Sequence, residues 1–129
     1  MKILLIDDDK LVLYTLSRIL RDRGDTVLTA PDGYRGMRLF RAERPDVVIT
    51  DIVMPDQEGL GTIREMRRER PASKIIAISG GWRRGPLDIL AMAASLGADD
   101  VIAKPFEPQE LLARLERLTG QTKTAARSE

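Results

Sequence analysis

The sequence contains no cysteine and no histidine. Without cysteine there is no disulfide scaffold, no thiolate nucleophile, no iron–sulfur cluster and no cysteine-held zinc. Without histidine there is no imidazole base, no imidazole metal ligand and no phosphohistidine carried by this chain. Aromatic residues make up only 4% of it, with one tryptophan, Trp82. The formal net charge is +1, so no overall field gathers nucleic acid. No apolar run approaches the ~20 residues that cross a bilayer. Met1-Lys2-Ile3 leads straight into an apolar segment and has no separate signal-peptide pattern. What remains for chemistry is carboxylate, lysine, hydroxyl and backbone. With 129 residues, 43% of them hydrophobic, the expectation is one cytoplasmic globular domain with a full core.

The chain alternates strand and helix signals. Ile3-Leu4-Leu5-Ile6 is a short apolar run that ends at Asp7-Asp8-Asp9. Lys10 to Arg23 places Val12, Leu16, Ile19 and Leu20 on one helical face, and Gly24 closes it. Thr26–Thr29 is a second strand, followed by a helix capped at Asp32, with Met37 and Phe40 inward, ending before Pro45. Val47–Thr50 is a third strand that stops at Asp51. After a loop, a helix with Leu60, Ile63 and Met66 inward runs to about Arg70, its exposed side made basic by Arg64, Arg67, Arg68 and Arg70. That side reads as a solvated face, partly neutralised by Glu65 and Glu69.

Lys74–Ile78 is a fourth strand ending at Ser79, then a glycine-rich loop, Gly80 to Pro86. Leu87 to Leu96 reads as a helix with Ile89, Leu90, Ala93 and Ala94 inward, closed by Gly97. Val101-Ile102-Ala103 precedes Lys104-Pro105, and a last helix from Glu107 to about Thr119 carries Leu111, Leu112, Leu115 and Leu118, with Glu110 and Arg114 spaced to pair. Residues 120–129 are polar, a tail or the start of a linker, which leaves 1–119 as the domain. Alternating strands and helices with continuous apolar strands predict a parallel sheet covered on both faces.

In open sheets of this class, ligands bind beyond the carboxyl ends of the strands. The residues delivered there are Asp7 and Asp8, Asp51, Ser79 and Lys104. Singly, each has an ordinary role: an acidic run caps a helix, and a Lys-Pro step marks a loop. Jointly they place carboxylates, a hydroxyl and a lysine at one rim. Crowded carboxylates repel one another, and a hard divalent cation such as Mg²⁺ resolves the repulsion with oxygen ligands and water. Cations, a hydroxyl and an acceptor carboxylate suit a phosphoryl group.

These motifs, together with Met54-Pro55, Gly59, Gly97-Ala98-Asp99-Asp100 and Lys104-Pro105-Phe106, resemble the receiver domain of bacterial two-component response regulators over residues 1 to about 119. The resemblance implies a flavodoxin-like, doubly wound, five-stranded parallel sheet of order 2-1-3-4-5 with five helices. It implies that Asp51 is the phosphoacceptor, that Asp7, Asp8, Asp51 and the Val53 carbonyl hold Mg²⁺, and that Ser79 and Lys104 bind phosphoryl oxygens. It also implies a cis bond before Pro105.

The implied function is signalling: a phosphoryl group passes from a sensor histidine kinase or histidine phosphotransfer protein to Asp51, and the surface changes for a downstream effector or a fused output domain. An Asp-dependent phosphohydrolase and an unphosphorylated interaction surface are the rival readings. No direct nucleic-acid or membrane binding by this chain is expected, and no catalysis beyond assistance to its own phosphotransfer and dephosphorylation.

The sequence departs from the family in three places. The switch aromatic is replaced by Val101, so the motion is expected to pass through the loop Gly80–Pro86 and Trp82. That loop is longer than is usual. Val53 and Gly81 offer no side chain to orient an attacking water, so exceptionally fast self-hydrolysis is not expected.

Overall fold

The computed structural model describes residues 1–52, 58–79, 91 and 94–120, without the side chains of 58–60. The strands are β1 (Lys2–Ile6), β2 (Thr26–Ala30), β3 (Val47–Asp51), β4 (Lys74–Ser79) and β5 (Asp100–Ala103). Between them lie α1 (Lys10–Asp22), α2 (Gly33–Glu43) and α3 (Glu58–Glu69); residues 91 and 94–96 are helical and belong to α4, and α5 is Pro108–Thr119. All strand pairs are parallel, in the order β2-β1-β3-β4-β5. Among the described residues no helix is long and apolar enough to cross a membrane.

Strand alternation divides the core into two layers. Leu4, Ile6, Val48, Ile75 and Ala77 face α2 and α3, where Met37, Phe40, Ile63 and Met66 meet them. Ile3, Leu5, Ile49, Ile76 and Ile78 face the other way, against Leu16 and Leu20 of α1 and Leu111 and Leu115 of α5. β3 is buried throughout, whereas the edge strand β2 exposes Thr26 and Thr29. This is why the central strands read as unbroken apolar runs. Gly36 lets α2 lie close on β1, since a Cβ there would overlap the Ile6 side chain.

Helix ends form as their sequences dictate. Asp9 caps α1, accepting from Leu11 N at 2.9 Å, and Asp32 caps α2, accepting from Arg35 N at 2.7 Å. The Lys104–Pro105 peptide bond is cis.

Two expectations need correction. Ala94 is exposed, and Leu96 is the residue that packs on the core among the described residues of α4. Two residues of helix turn the side chain by about 200°, so the two positions cannot share a face. Ile89, Leu90 and Ala93 lie outside the described residues. The second correction concerns the basic side of α3. Arg64 and Arg68 are exposed, but Arg67 and Arg70 fold back onto the body. Arg67 donates to the carbonyls of Gly97, Pro71 and Ser73 at 2.7–2.8 Å and to Asp99 Oδ2 at 2.6 Å. Arg70 donates to Pro45 O and lies over the Phe40 ring. Planar guanidinium forks find several carbonyls at once where helix and strand ends converge, and that outweighs hydration. Glu65 and Glu69 both pair with Arg41 of α2, while Glu65 also reaches Arg68. The Glu110–Arg114 pair forms at 3.1 Å, and Arg114 extends further to Asp100 and the Val101 carbonyl.

Candidate functional site

The rim is assembled by register. Ile6 sits beside Thr50, Asp51 beside Ile78, and Ser79 beside Ala103, so the central strands and β5 end together. Ladder bonds continue past the strand ends: Asp7 N donates to Ala30 O, Ile52 N to Ile78 O, and Lys104 N to Ser79 O, at 2.8–3.1 Å. Each chemical side chain therefore stands on backbone held by a neighbouring strand.

Asp7 and Asp51 are each 3% exposed and Ser79 is 4% exposed, while Asp8 is exposed to solvent. Oxygens of Asp7, Asp8 and Asp51 all lie within 4.8 Å of one another. Lys104 Nζ is 3.4 Å from Asp7 Oδ2 and 3.3 Å from Asp51 Oδ2. The second oxygen of Asp7 accepts from Asp9 N at 2.9 Å, which orients the carboxylate.

The electrostatics follow from this geometry. Burial pushes the Asp7 carboxyl above its ordinary value, and the nearby Asp51 charge adds to that; the Asp9 amide and Lys104 oppose it without cancelling it. Burial works against the Lys104 ammonium, but the Asp51 and Asp7 carboxylates outweigh it and raise its pKa. Lys104 thus meets two buried carboxylates, and the Asp8 carboxylate stands beside them, so carboxylate oxygens are concentrated at this rim.

That cluster fits a magnesium-type ion. The donors are all carboxylate oxygens, they converge without the ion, and Asp8 keeps one side open to water. Mg²⁺ is a hard cation that takes one or two carboxylates and retains waters, which this half-open set allows.

Of the residues expected at the site, Asp7, Asp8 and Asp51 gather round Lys104, and Ser79 ends the adjoining strand. Val101 is 7% exposed, pairs in register with Ala77 and packs in the α2–α3 layer. Val53, Trp82 and the loop Gly80–Pro86 lie outside the described residues. Two features go beyond the sequence reading. The Asp9 amide orients Asp7, a role hidden behind the more obvious helix cap. An apolar groove of about 610 Å³ also opens beside Lys104, lined by Leu11, Val12, Leu16, Pro105, Phe106 and Pro108. Its sequence signal is Leu11, an apolar residue off the buried face of α1 and 71% exposed.

Known proteins carry the same arrangement of elements. The family model for the response regulator receiver domain matches residues 3–116. The "Probable transcriptional regulator ycf27" of Guillardia theta is 37% identical over 97% of this chain and 48% of its own length. "Response regulator MprA" of Mycobacterium ulcerans is 34% identical over 95% of this chain and 51% of its own length. The chain spans about half the length of these curated relatives. Among solved structures, the response regulator receiver domain protein from Clostridium thermocellum superposes with a TM-score of 0.83 at 33% identity, covering 92% of this chain and 94% of that one. With its strand order, its acidic rim and a family match running from β1 into α5, the chain belongs to the receiver domains of two-component response regulators, a family of phosphorelay signalling modules.

Proposed function

We propose that Asp51 accepts the phosphoryl group. The observation that carries this reading is the Lys104 ammonium set 3.3 Å from Asp51 within a converging carboxylate cluster. In the transfer, an Asp51 carboxylate oxygen forms a bond to phosphorus as the bond from phosphorus to the donor's imidazole nitrogen breaks. The imidazole leaves with the electron pair of that bond. In this reading Lys104 would neutralise charge on the phosphoryl oxygens, and Ser79, which ends β4 at the same rim, would donate to one of them. Asp7 and Asp8, with Asp51 and the Val53 carbonyl, would hold Mg²⁺, which supplies positive charge to the transferring group. Asp9, through its amide, keeps Asp7 in place.

The donor in this reading is a sensor histidine kinase or a histidine phosphotransfer protein. The apolar groove beside α1 supports such a partner, because Lys104 belongs both to its lining and to the acidic site. A helix seated there would reach the acceptor. The output is a downstream effector or an output domain on the same polypeptide, in keeping with relatives about twice this length.

The test is direct. The protein is incubated with Mg²⁺ and acetyl phosphate, and the modified residue is located by mass spectrometry. Label is expected on Asp51, absent from Asp51→Asn and absent when a chelator removes the metal. An Asp51→Asn variant that labels as well as wild type would overturn the assignment.

A further inference from the structure

Among the described residues, some buried polar side chains have an evident structural use. Ser73 Oγ donates to Arg70 O and closes the turn after α3. Asp25 is held by ion pairs. Thr50 differs. It is fully buried, at 0% exposure, in the centre of the sheet. Alternation places its side chain on the face of Val48 and Ile52, and its register partners Ile6 and Ala77 belong to the same hydrocarbon layer. A hydroxyl there loses its hydration, whereas valine, of nearly the same shape, would lose none. Packing alone gives no reason for it.

The hydroxyl has a specific partner. Thr50 Oγ1 donates to the main-chain carbonyl of Asp51 at 3.1 Å. That carbonyl belongs to the peptide plane that joins Asp51 to Ile52, at the point where β3 ends. The N–H of the same plane donates to Ile78 O of β4 at 3.0 Å. One plane is thus gripped at both ends, its N–H by the neighbouring strand and its C=O by Thr50. A peptide plane is rigid, so fixing it fixes the backbone torsion on the carbonyl side of Asp51. The direction in which the carboxylate leaves the main chain depends on that torsion.

We propose that Thr50 is a positioning residue for phosphorylation of Asp51: its hydroxyl locks the peptide plane after Asp51 and so sets the aim of the carboxylate. The proposal rests on the reading of Asp51 as phosphoacceptor. It exploits the steep dependence of in-line transfer on alignment, where small misplacements cost large factors in rate. Thr50 touches neither the phosphoryl donor nor a metal; it acts through Asp51.

Two substitutions separate aim from packing. Thr50→Val keeps the shape and deletes the hydroxyl. Thr50→Ser keeps the hydroxyl and deletes a buried methyl group. Initial rates of labelling by acetyl phosphate with Mg²⁺ are measured beside thermal melting, with Asp51→Asn as control. Thr50→Val is expected to label about fivefold more slowly, or worse, while melting at or above the wild-type temperature. Thr50→Ser is expected to melt lower, because a core methyl is lost, yet to label at close to the wild-type rate. The order of rates then runs opposite to the order of stabilities, which a packing role cannot produce. Thr50→Val labelling at the wild-type rate, or Thr50→Ser labelling as slowly as Thr50→Val, would overturn the proposal while an unlabelled Asp51→Asn control leaves the acceptor reading intact. Label on the Asp51→Asn control would overturn that reading and the proposal with it.

Discussion

The two ends of the sheet handle charge in opposite ways. At the end where the strands begin, two close ion-pair groups tie charge to its opposite. Arg67 bonds Asp99 at 2.6 Å, and Asp99 also accepts from Ile75 N at 2.8 Å. Arg23 bonds Asp25 at 2.8 Å, with the Met1 amino group at 3.2 Å. At the end where the strands finish, the described ion pairs are longer and carboxylates cluster: Lys104 stands 3.3 and 3.4 Å from two buried carboxylates, with Asp8 close to both. Burial raises the Asp7 pKa, whereas Asp25 is held below its ordinary value although burial pushes it up, because the Arg23 and Met1 bonds outweigh that push. One sheet thus carries close ion pairs at its lower end and a carboxylate cluster at its upper end. In the proposed function that cluster takes a cation and a phosphoryl group.

The largest effect is expected at Arg67. Its side chain is a node joining α3, the turn at Pro71 and Ser73, and the segment Gly97–Asp99. Arg67→Ala leaves a partly buried carboxylate and several carbonyls without their donor, and should lower stability by about 3 kcal/mol in urea denaturation. Acceptance of label per folded molecule should be unchanged, because the rim is untouched. Gly97 belongs to the same node: at φ +112° its missing Cβ makes room for the Arg67 stem, 2.7 Å from where that atom would stand.

A smaller loss, about 2 kcal/mol near neutral pH, is expected for Asp25→Asn, which removes the partner of a buried guanidinium. The sign of its pH dependence is set by the lowered pKa. A depressed carboxylate contributes stability above its unfolded value, 3.8, and loses that contribution as pH falls through the lower folded value. Wild type and Asp25→Asn should therefore converge in stability in strong acid, which melting across an acid pH series would read.

At the upper end the sign reverses. Asp8→Asn should raise the melting temperature in chelator-treated buffer, by roughly 0.5 kcal/mol of stability, because it removes one like charge from an exposed edge of the cluster. The same variant should lose Mg²⁺-dependent labelling. Destabilisation by Asp8→Asn without metal would erase the contrast between the two ends.

The legibility of these features in the sequence tracks how local their causes are. The central strands are readable because both faces are buried, and α1, α2 and α5 because Leu16, Leu20, Met37, Phe40, Leu111 and Leu115 recur at the helical period. The strand order comes with the family resemblance, not from the residues. The gathering of Asp7, Asp51 and Lys104 is readable because each ends or directly follows a strand, so parallel alignment brings them together. Arg67 and Arg70 read as solvated because their partners, Gly97, Asp99 and Pro45, are distant in sequence. Ala94 is misplaced by its pattern because an alanine-rich stretch carries little amphipathic contrast, whereas Leu96, two residues on, packs on the core. The Thr50 bond is invisible for a simpler reason: a threonine in a strand is ordinary until its hydroxyl is seen to meet the Asp51 carbonyl.

The central proposal is that the upper-end carboxylate cluster takes a cation and a phosphoryl group, with Asp51 as the acceptor. Thermal melting of wild type and Asp51→Asn, each in chelator, in Mg²⁺, and in Mg²⁺ with beryllofluoride, tests it most directly. Wild type should be stabilised in steps, modestly by Mg²⁺ and further when beryllofluoride is added, while Asp51→Asn gains little from the first and nothing from the second. Equal stabilisation of both proteins by beryllofluoride, or none in wild type, would contradict the claim.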